Sequence, residues 1–220
     1  MKFKIHRAVC SSLAVVLLGG ALSACVPLVV GGGMVAGTLV AVDRRTAGTQ
    51  VEDESIEVKA ASRIRETLGE KARINVTSYN RQVLLTGEVG NETDKQGLAR
   101  LVESVDNVRA VVNEVVVAPF TATLSQRSAD TFITGKVRAS LMDAKDIQAS
   151  AIKVTTENKV VYLMGIVTPR EAKRAAEIAR GVNDVTKVVR VFEVVSEDDL
   201  ARYETKQAPV TTDSAPTVTP

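Results

Sequence analysis

The chain has 220 residues, 45% of them hydrophobic and 25% charged, with a formal net charge of +2; this is globular composition, neither collagen-like nor wholly disordered. It has no Trp, 3% aromatic residues, one His (His6) and two Cys (Cys10 and Cys25), and all three of these residues lie within the first 25 positions. If that segment is a targeting signal, the folded part holds no His and no thiol, which excludes His-based acid–base catalysis, Ser-His-Asp and Cys-His nucleophiles, and His/Cys zinc or haem sites.

The N-terminus has the organisation of an export signal. Lys2, Lys4 and Arg7 form a positive region, Ala8 to Ala21 an apolar one, and Leu22-Ser23-Ala24-Cys25 follows. The apolar run is too short to span a bilayer stably and ends in small residues, as a cleaved secretory signal does. The last four residues resemble the bacterial lipobox. That resemblance implies that residues 1–24 are removed, that Cys25 becomes an acylated first residue carrying palmitate-class chains, and that a non-Asp residue at Val26 directs the protein to the outer membrane. An ordinary signal peptide with a chance Cys is the alternative. Cys10 is discarded with the signal, so no disulfide forms. Loss of three basic residues and no acid leaves 25 basic against 26 acidic residues, a net of −1, so global charge does not point to nucleic acid. Val26 to Gly37 is small, apolar and Gly-rich: a flexible spacer or a small-residue helix lying on a membrane. Residues 25–50 are therefore expected as lipidated Cys and linker, and residues 204–220, rich in Pro, Thr, Ser and Ala, as a disordered tail.

Between these ends the chain repeats itself. Ile74, Val76, Thr77, Asn80, Val83, Leu85, Gly87 and Val89 recur at an offset of 78 in the stretch Ile152 to Val167. Each copy predicts a helix (Glu54–Leu68; Ala129–Met142), a strand (Arg73–Ser78; Ala151–Thr156), a turn centred on Asn80 or Asn158, and a second strand (Val83–Val89; Val160–Val167). A second helix (Asn91–Val105; Pro169–Val182) and a last strand (Val108–Val117; Val185–Val195) complete the copy. Thr168 reads as an N-cap with Pro169 in the first turn and Glu171 early in the helix. The Asn residues suit positive-φ turn positions.

This α-β-β-α-β order and the pattern I-x-V-T-x-x-N-x-x-V-x-L-x-G-x-V resemble the BON domain. Two copies behind a lipobox, led in by Asp43-Arg44-Arg45-Thr46-Ala47-Gly48-Thr49-Gln50, are similar to the dual-BON outer-membrane lipoproteins, the division- and outer-membrane-associated lipid-binding family. The resemblance implies an α+β protein with domains at 51–118 and 126–196, each a three-stranded mixed sheet with two helices on one face. It also implies a non-enzymatic, phospholipid-binding protein on the periplasmic face of the outer membrane, supporting that membrane's integrity, with no cofactor or metal.

The copies differ where a binding surface would lie. Residues 51–117 carry a net charge of −3 and residues 126–195 a net of +4, so an anionic partner should prefer the second copy. On a helical projection of Ala129–Met142, Ile133, Val137 and Leu141 share the core face, while Phe132, Lys136, Ala139 and Met142 lie on an outer one. Aligned through Ile64/Val137 and Leu68/Leu141, the first copy puts Lys59, Arg63 and Glu66 there. An outward Phe beside a basic residue is the pattern of interfacial lipid binding, and the resemblance implies the same helix. Phe132, Lys136, Arg138, Ala139, Met142 and Lys145 are the expected contacts with anionic phospholipid such as phosphatidylglycerol or cardiolipin. Alternatively, Phe132 packs on the linker or the first domain. In the second strands the non-core positions are Gln82, Leu84, Thr86 and Glu88 in copy one but Val160, Tyr162, Met164 and Ile166 in copy two. That apolar face marks domain docking or membrane contact, with Ile166 at the strand end reaching lipid.

A carboxylate-only enzyme finds no standing pair of acids, Gly31-Gly32-Gly33 leads to no P-loop Lys, and nucleic-acid binding lacks stacking aromatics and a basic cluster. The competing reading is a protein-binding scaffold for envelope assembly or peptidoglycan remodelling.

Overall fold

A computed structural model describes residues 43–118 and 124–207. The signal segment, Cys25, the Gly-rich stretch and the last thirteen residues lie outside the described residues.

The first repeat comprises α1 (Ala47–Leu68), β1 (Ala72–Tyr79), β2 (Gln82–Val89), α2 (Glu92–Glu103), β3 (Ala110–Asn113) and a two-residue β4 (Val116–Val117). The second comprises α3 (Leu124–Asp143), β5 (Ile152–Glu157), β6 (Val160–Val167), α4 (Pro169–Arg180) and β7 (Lys187–Val194); α5 (Glu197–Gln207) follows. In each repeat the middle strand pairs antiparallel with the strand before it and parallel with the strand after the second helix. A crossover through that helix supplies the parallel pair.

The pleat sorts the side chains of both sheets. Val83, Leu85 and Val89 of β2 pack on Ile56, Ala60 and Ile64 of α1 and on Leu98 and Val102 of α2. Val161, Leu163 and Val167 of β6 pack on Ile133, Val137 and Leu141 of α3 and on Ala172, Ala175 and Ala179 of α4. Each hairpin turns on two left-handed residues, Asn80 and Arg81 (φ 51° and 64°) or Asn158 and Lys159 (φ 49° and 62°), the twist that two-residue hairpins need. Thr168 and Glu171 form a capping box on α4, with Pro169 in the first turn.

The alternate residues of the sheets face each other. Tyr79 and Leu84 of the first repeat form one buried layer with Tyr162, Met164, Ile166 and Val191 of the second, and Val112, Val160, Val189, Val195 and Tyr203 pack around it. The result is four layers: helices, sheet, sheet, helices. Polar contacts ring the apolar centre: Tyr79 Oη donates to the Ala151 carbonyl (3.1 Å), Lys153 Nζ to Glu57 (2.8 Å) and the Ser78 carbonyl (3.1 Å), and Asn75 to Glu157 (2.7 Å). Arg109 and Asn80 both donate to Glu193. Domain docking is therefore what the apolar outer face of β6 serves. Ile166 is 0% exposed in this layer, and its assignment to a lipid surface is corrected: the strand end lies under the first repeat.

Boundaries also differ from the sequence expectation: α3 begins at Leu124, five residues early, and the expected strand Val108–Val117 is broken into β3 and β4. Helix α1 begins at Ala47, seven residues early, because Thr46 caps it by accepting from the Thr49 N–H (3.2 Å); its first turns carry no apolar period to announce them. Residues 43–46 are clamped rather than loose linker. Arg44 is 3% exposed and makes paired bonds to Glu171 (2.8 and 2.9 Å) and one to the Ile166 carbonyl (2.8 Å). Arg45 bonds Asp43 and Asp53 (2.7 and 2.8 Å) and lies 4.2 Å from the Tyr79 ring centroid. Residues 204–207, expected in a disordered tail, close α5, whose Leu200 is buried and whose Tyr203 packs on the interdomain layer.

Candidate membrane interface

Helix α3 is fixed from its inner side. Ile133, Val137 and Leu141 enter the core, and the buried Asp130 accepts from the N–H groups of the turn residues Asn158 and Lys159 (both 2.8 Å). In the first repeat Asp53 does the same for Asn80 and Arg81 (2.8 and 2.7 Å), and also accepts from the Ser78 hydroxyl (2.7 Å). These two aspartates align the repeats. Asp53, Ile56, Ala60 and Ile64 correspond to Asp130, Ile133, Val137 and Leu141, an offset of 77. The expected pairing of Ile64 with Val137 is thus one helical turn off. Aliphatic residues spaced by four match equally well after a shift of four, and only the turn-binding Asp breaks the tie. The first-repeat counterparts of Phe132, Lys136, Ala139 and Met142 are therefore Ser55, Lys59, Ser62 and Arg65, not Lys59, Arg63 and Glu66.

With its inner face so held, α3 presents Phe132, Gly135, Ala139 and Met142 outward. Phe132 is 67% exposed and Met142 75%, the largest exposure of any large hydrophobic side chain among the described residues. Ten residues of helix separate them, about 15 Å of rise. Lys136 flanks the stripe: its ammonium lies 5.0 Å from the Phe132 ring centroid and donates to the Asn183 carbonyl (3.0 Å) and to Asp184 (2.8 Å). This contact holds the Asp184 carboxyl below its ordinary range. Arg138, exposed on the Met142 side, reaches the Val154 carbonyl at 3.3 Å, and the exposed Lys145 follows the helix end. The structure thus places Phe132, Ala139 and Met142 on one outward stripe, with Lys136 on its flank toward the turn after α4, Arg138 on its flank toward β5 and Lys145 past the helix end, while Ile166 lies apart from it. The first repeat puts Ser55 and Ser62 at the equivalent stripe, with Val51 and Val58 exposed beside them (68% and 67%).

Local sequence pattern assigns Arg44 no role. It bonds Gln148 (3.4 Å) in the loop that also carries Lys145, so the chain leaving the N-terminal 42 residues is fastened beside the C-terminal end of α3. The Asp-Arg-Arg-Thr run offers an acid beside two arginines, and Asp43 pairs with Arg45, leaving Arg44 for a distant partner. Among the described residues no helix is long and apolar enough to cross a membrane.

The BON domain profile matches residues 52–119 and 129–196. Over 181 residues, 80% of this chain and 93% of the relative, the sequence is 39% identical to the outer membrane lipoprotein DolP of Haemophilus influenzae. It is 36% identical to a 21 kDa hemolysin of Actinobacillus pleuropneumoniae over 70% of this chain and 80% of that protein. A shorter match, 43% over 60 residues, covers 27% of this chain and 30% of the osmotically-inducible protein Y of Escherichia coli. With the fold, the doubled hairpin-and-helix plan and these matches, the chain belongs to the BON domain family and carries two copies of the domain.

Proposed function

We propose that the protein is an outer-membrane lipoprotein on the periplasmic face, tethered through Cys25, whose second BON domain binds anionic phospholipid through α3 and so supports membrane integrity. It is a binding protein, not an enzyme. The observation that carries the reading is the exposed Phe132–Met142 stripe with Lys136, Arg138 and Lys145 around it. Burying the Phe in the interfacial region contributes about 1.5–3 kcal/mol. Each basic residue near an anionic surface contributes about 1 kcal/mol. Binding of this strength is weak for a free protein and sufficient for a tethered one. The fastening of Arg44 beside Gln148 supports the reading, since it holds the first described residues next to the same helix.

The test is vesicle pelleting of the mature chain with Cys25→Ala, which removes the anchor. Binding to phosphatidylglycerol or cardiolipin but not to neutral lipid is expected, and Phe132→Glu abolishes it while circular dichroism stays unchanged, because position 132 lies off the core face. Full binding by a folded Phe132→Glu protein would eliminate α3 as the lipid site. The exposed Val51 and Val58 on α1 favour a second reading, a protein-binding scaffold; absence of lipid binding with a partner crosslinked at those positions supports it.

A further inference from the structure

Lys136 is already committed in the isolated protein. Two of its three N–H donors go to the Asn183 carbonyl and the Asp184 carboxylate, both in the turn after α4. Behind that contact runs a groove of about 530 Å³ between α3 and α4, lined by Lys136, Ala139, Arg174, Glu177, Ile178 and Val182. Its second cation, Arg174, is held in the same way, by Asp146 from the loop after α3 (2.9 Å). Both rim cations of a groove beside the apolar stripe are therefore paired with aspartates from loops, and both pairs are exposed: Asp184 is 61% exposed and Asp146 51%. Exposed pairs exchange partners readily, because both groups keep most of their hydration and the pair itself is worth little.

The two repeats make the arrangement specific. Lys59 stands where Lys136 does, but the residue equivalent to Asp184 is Asn107, which shares its left-handed backbone (φ 66° against 75°) and donates to Glu52 instead. The acid is present only in the repeat that also carries Phe132 and Met142.

Resting on the lipid reading above, we infer that the α3/α4 groove is a phosphate subsite for an anionic phospholipid headgroup, and that Asp184, paired with Lys136 at its rim, is an internal competitor for that lysine. A headgroup phosphate replaces the carboxylate on the ammonium; no covalent bond changes. A neutral or sparsely charged surface does not displace the acid, whereas a densely anionic one does, so Asp184 sets the anionic-lipid content at which the domain binds.

The experiment compares wild type, Asp184→Asn, Lys136→Ala and the double variant, all in the mature Cys25→Ala chain, on phosphatidylcholine vesicles with increasing phosphatidylglycerol. Asn tolerates the left-handed conformation, so Asp184→Asn keeps the turn. The single Asp184→Asn variant is expected to bind about fivefold tighter, the worth of the one lysine charge it frees to face an anionic surface, and to reach half-binding at a lower phosphatidylglycerol fraction. The double variant should match Lys136→Ala, since the acid acts through the lysine. Unchanged or weaker binding by Asp184→Asn overturns the inference, as does a gain that persists without Lys136, which would be a general charge effect. Phe132→Glu, run in parallel, separates the two levels: if it loses binding while Asp184→Asn is neutral, the lipid reading stands and the competitor fails. If wild type binds no vesicle, both fail.

Discussion

Gly87 and Gly165 mark where two backbones come too close for any side chain. Each faces an Ile of the neighbouring antiparallel strand, Ile74 or Ile152, and a Cβ there would collide with the carbonyl of Arg73 or of Ala151. The obstacle is backbone, which cannot swing aside. Gly87 also has φ 115°, a conformation closed to other residues, whereas Gly165 is limited by space alone. Gly165→Ala is therefore expected to destabilise the second repeat by about 1–3 kcal/mol, read as a lowered melting temperature; an unchanged value would show that β5 and β6 can part. The sequence marked these glycines by their recurrence. It did not say whether helix or strand filled the space, because that depends on which backbone lies opposite.

At the scale of the element, the same aspartate closes each helix onto its hairpin. Asp130 is 9% exposed and takes two turn N–H groups that a type of turn with two left-handed residues leaves pointing inward. Asp130→Ala should leave both donors unsatisfied and cost about 1–3 kcal/mol. Amide exchange at Asn158 and Lys159 should rise well before global unfolding. If these amides stay as protected as in wild type, the carboxylate does not hold the turn. The motif Asp-x-x-Ile was readable at residues 53–56 and 130–133. Helical periodicity does not reveal it, since a repeat of apolar residues fixes a face but not a register.

For the whole molecule, the decisive contact is between the lead-in segment and the second repeat. Burial alone would raise the Glu171 carboxyl, but the Arg44 guanidinium and the Thr168 N–H outweigh it and hold the group below its ordinary value of 4.5. Asp53 behaves alike: the Ser78 hydroxyl, the Arg81 N–H, Arg45 and the Asn80 N–H overcome burial and keep it below 3.8. A depressed carboxyl contributes stability that is complete above its unfolded-state value and is lost as pH falls through the folded one. The interdomain Glu157 has the opposite sign. Burial raises it, with Asp130 and Glu88 adding to the effect against the Asn75 bond, so acid relieves that site. Arg44→Ala leaves a buried carboxylate without its cation and should cost about 3–5 kcal/mol at neutral pH. Arg44→Lys should recover only part, for want of a paired contact. Because the loss comes from a charged Glu171, the gap between wild type and Arg44→Ala should narrow as pH falls below the carboxylate range. Thermal melts between neutral and acid pH check this, and a gap that stays constant would refute the ion-pair account.

The sequence by itself determined the doubled α-β-β-α-β plan, the two buried sheet faces, the Asn turns and the Thr168 cap. Each is set by contacts within a few residues or by a repeating period, and such signals survive without knowledge of the partner. It also picked out Phe132, Lys136 and Met142, because leaving the core face of an amphipathic helix is a local property. Tertiary structure decided what lies across from those faces. An apolar strand side such as Val160, Tyr162, Met164 and Ile166 reads the same whether it meets lipid or another sheet, and only the docked first repeat shows that it meets the sheet. Arg44, 127 residues from Glu171, and Asp184, 48 residues from Lys136, acquire their meaning from chain separations that no local pattern encodes.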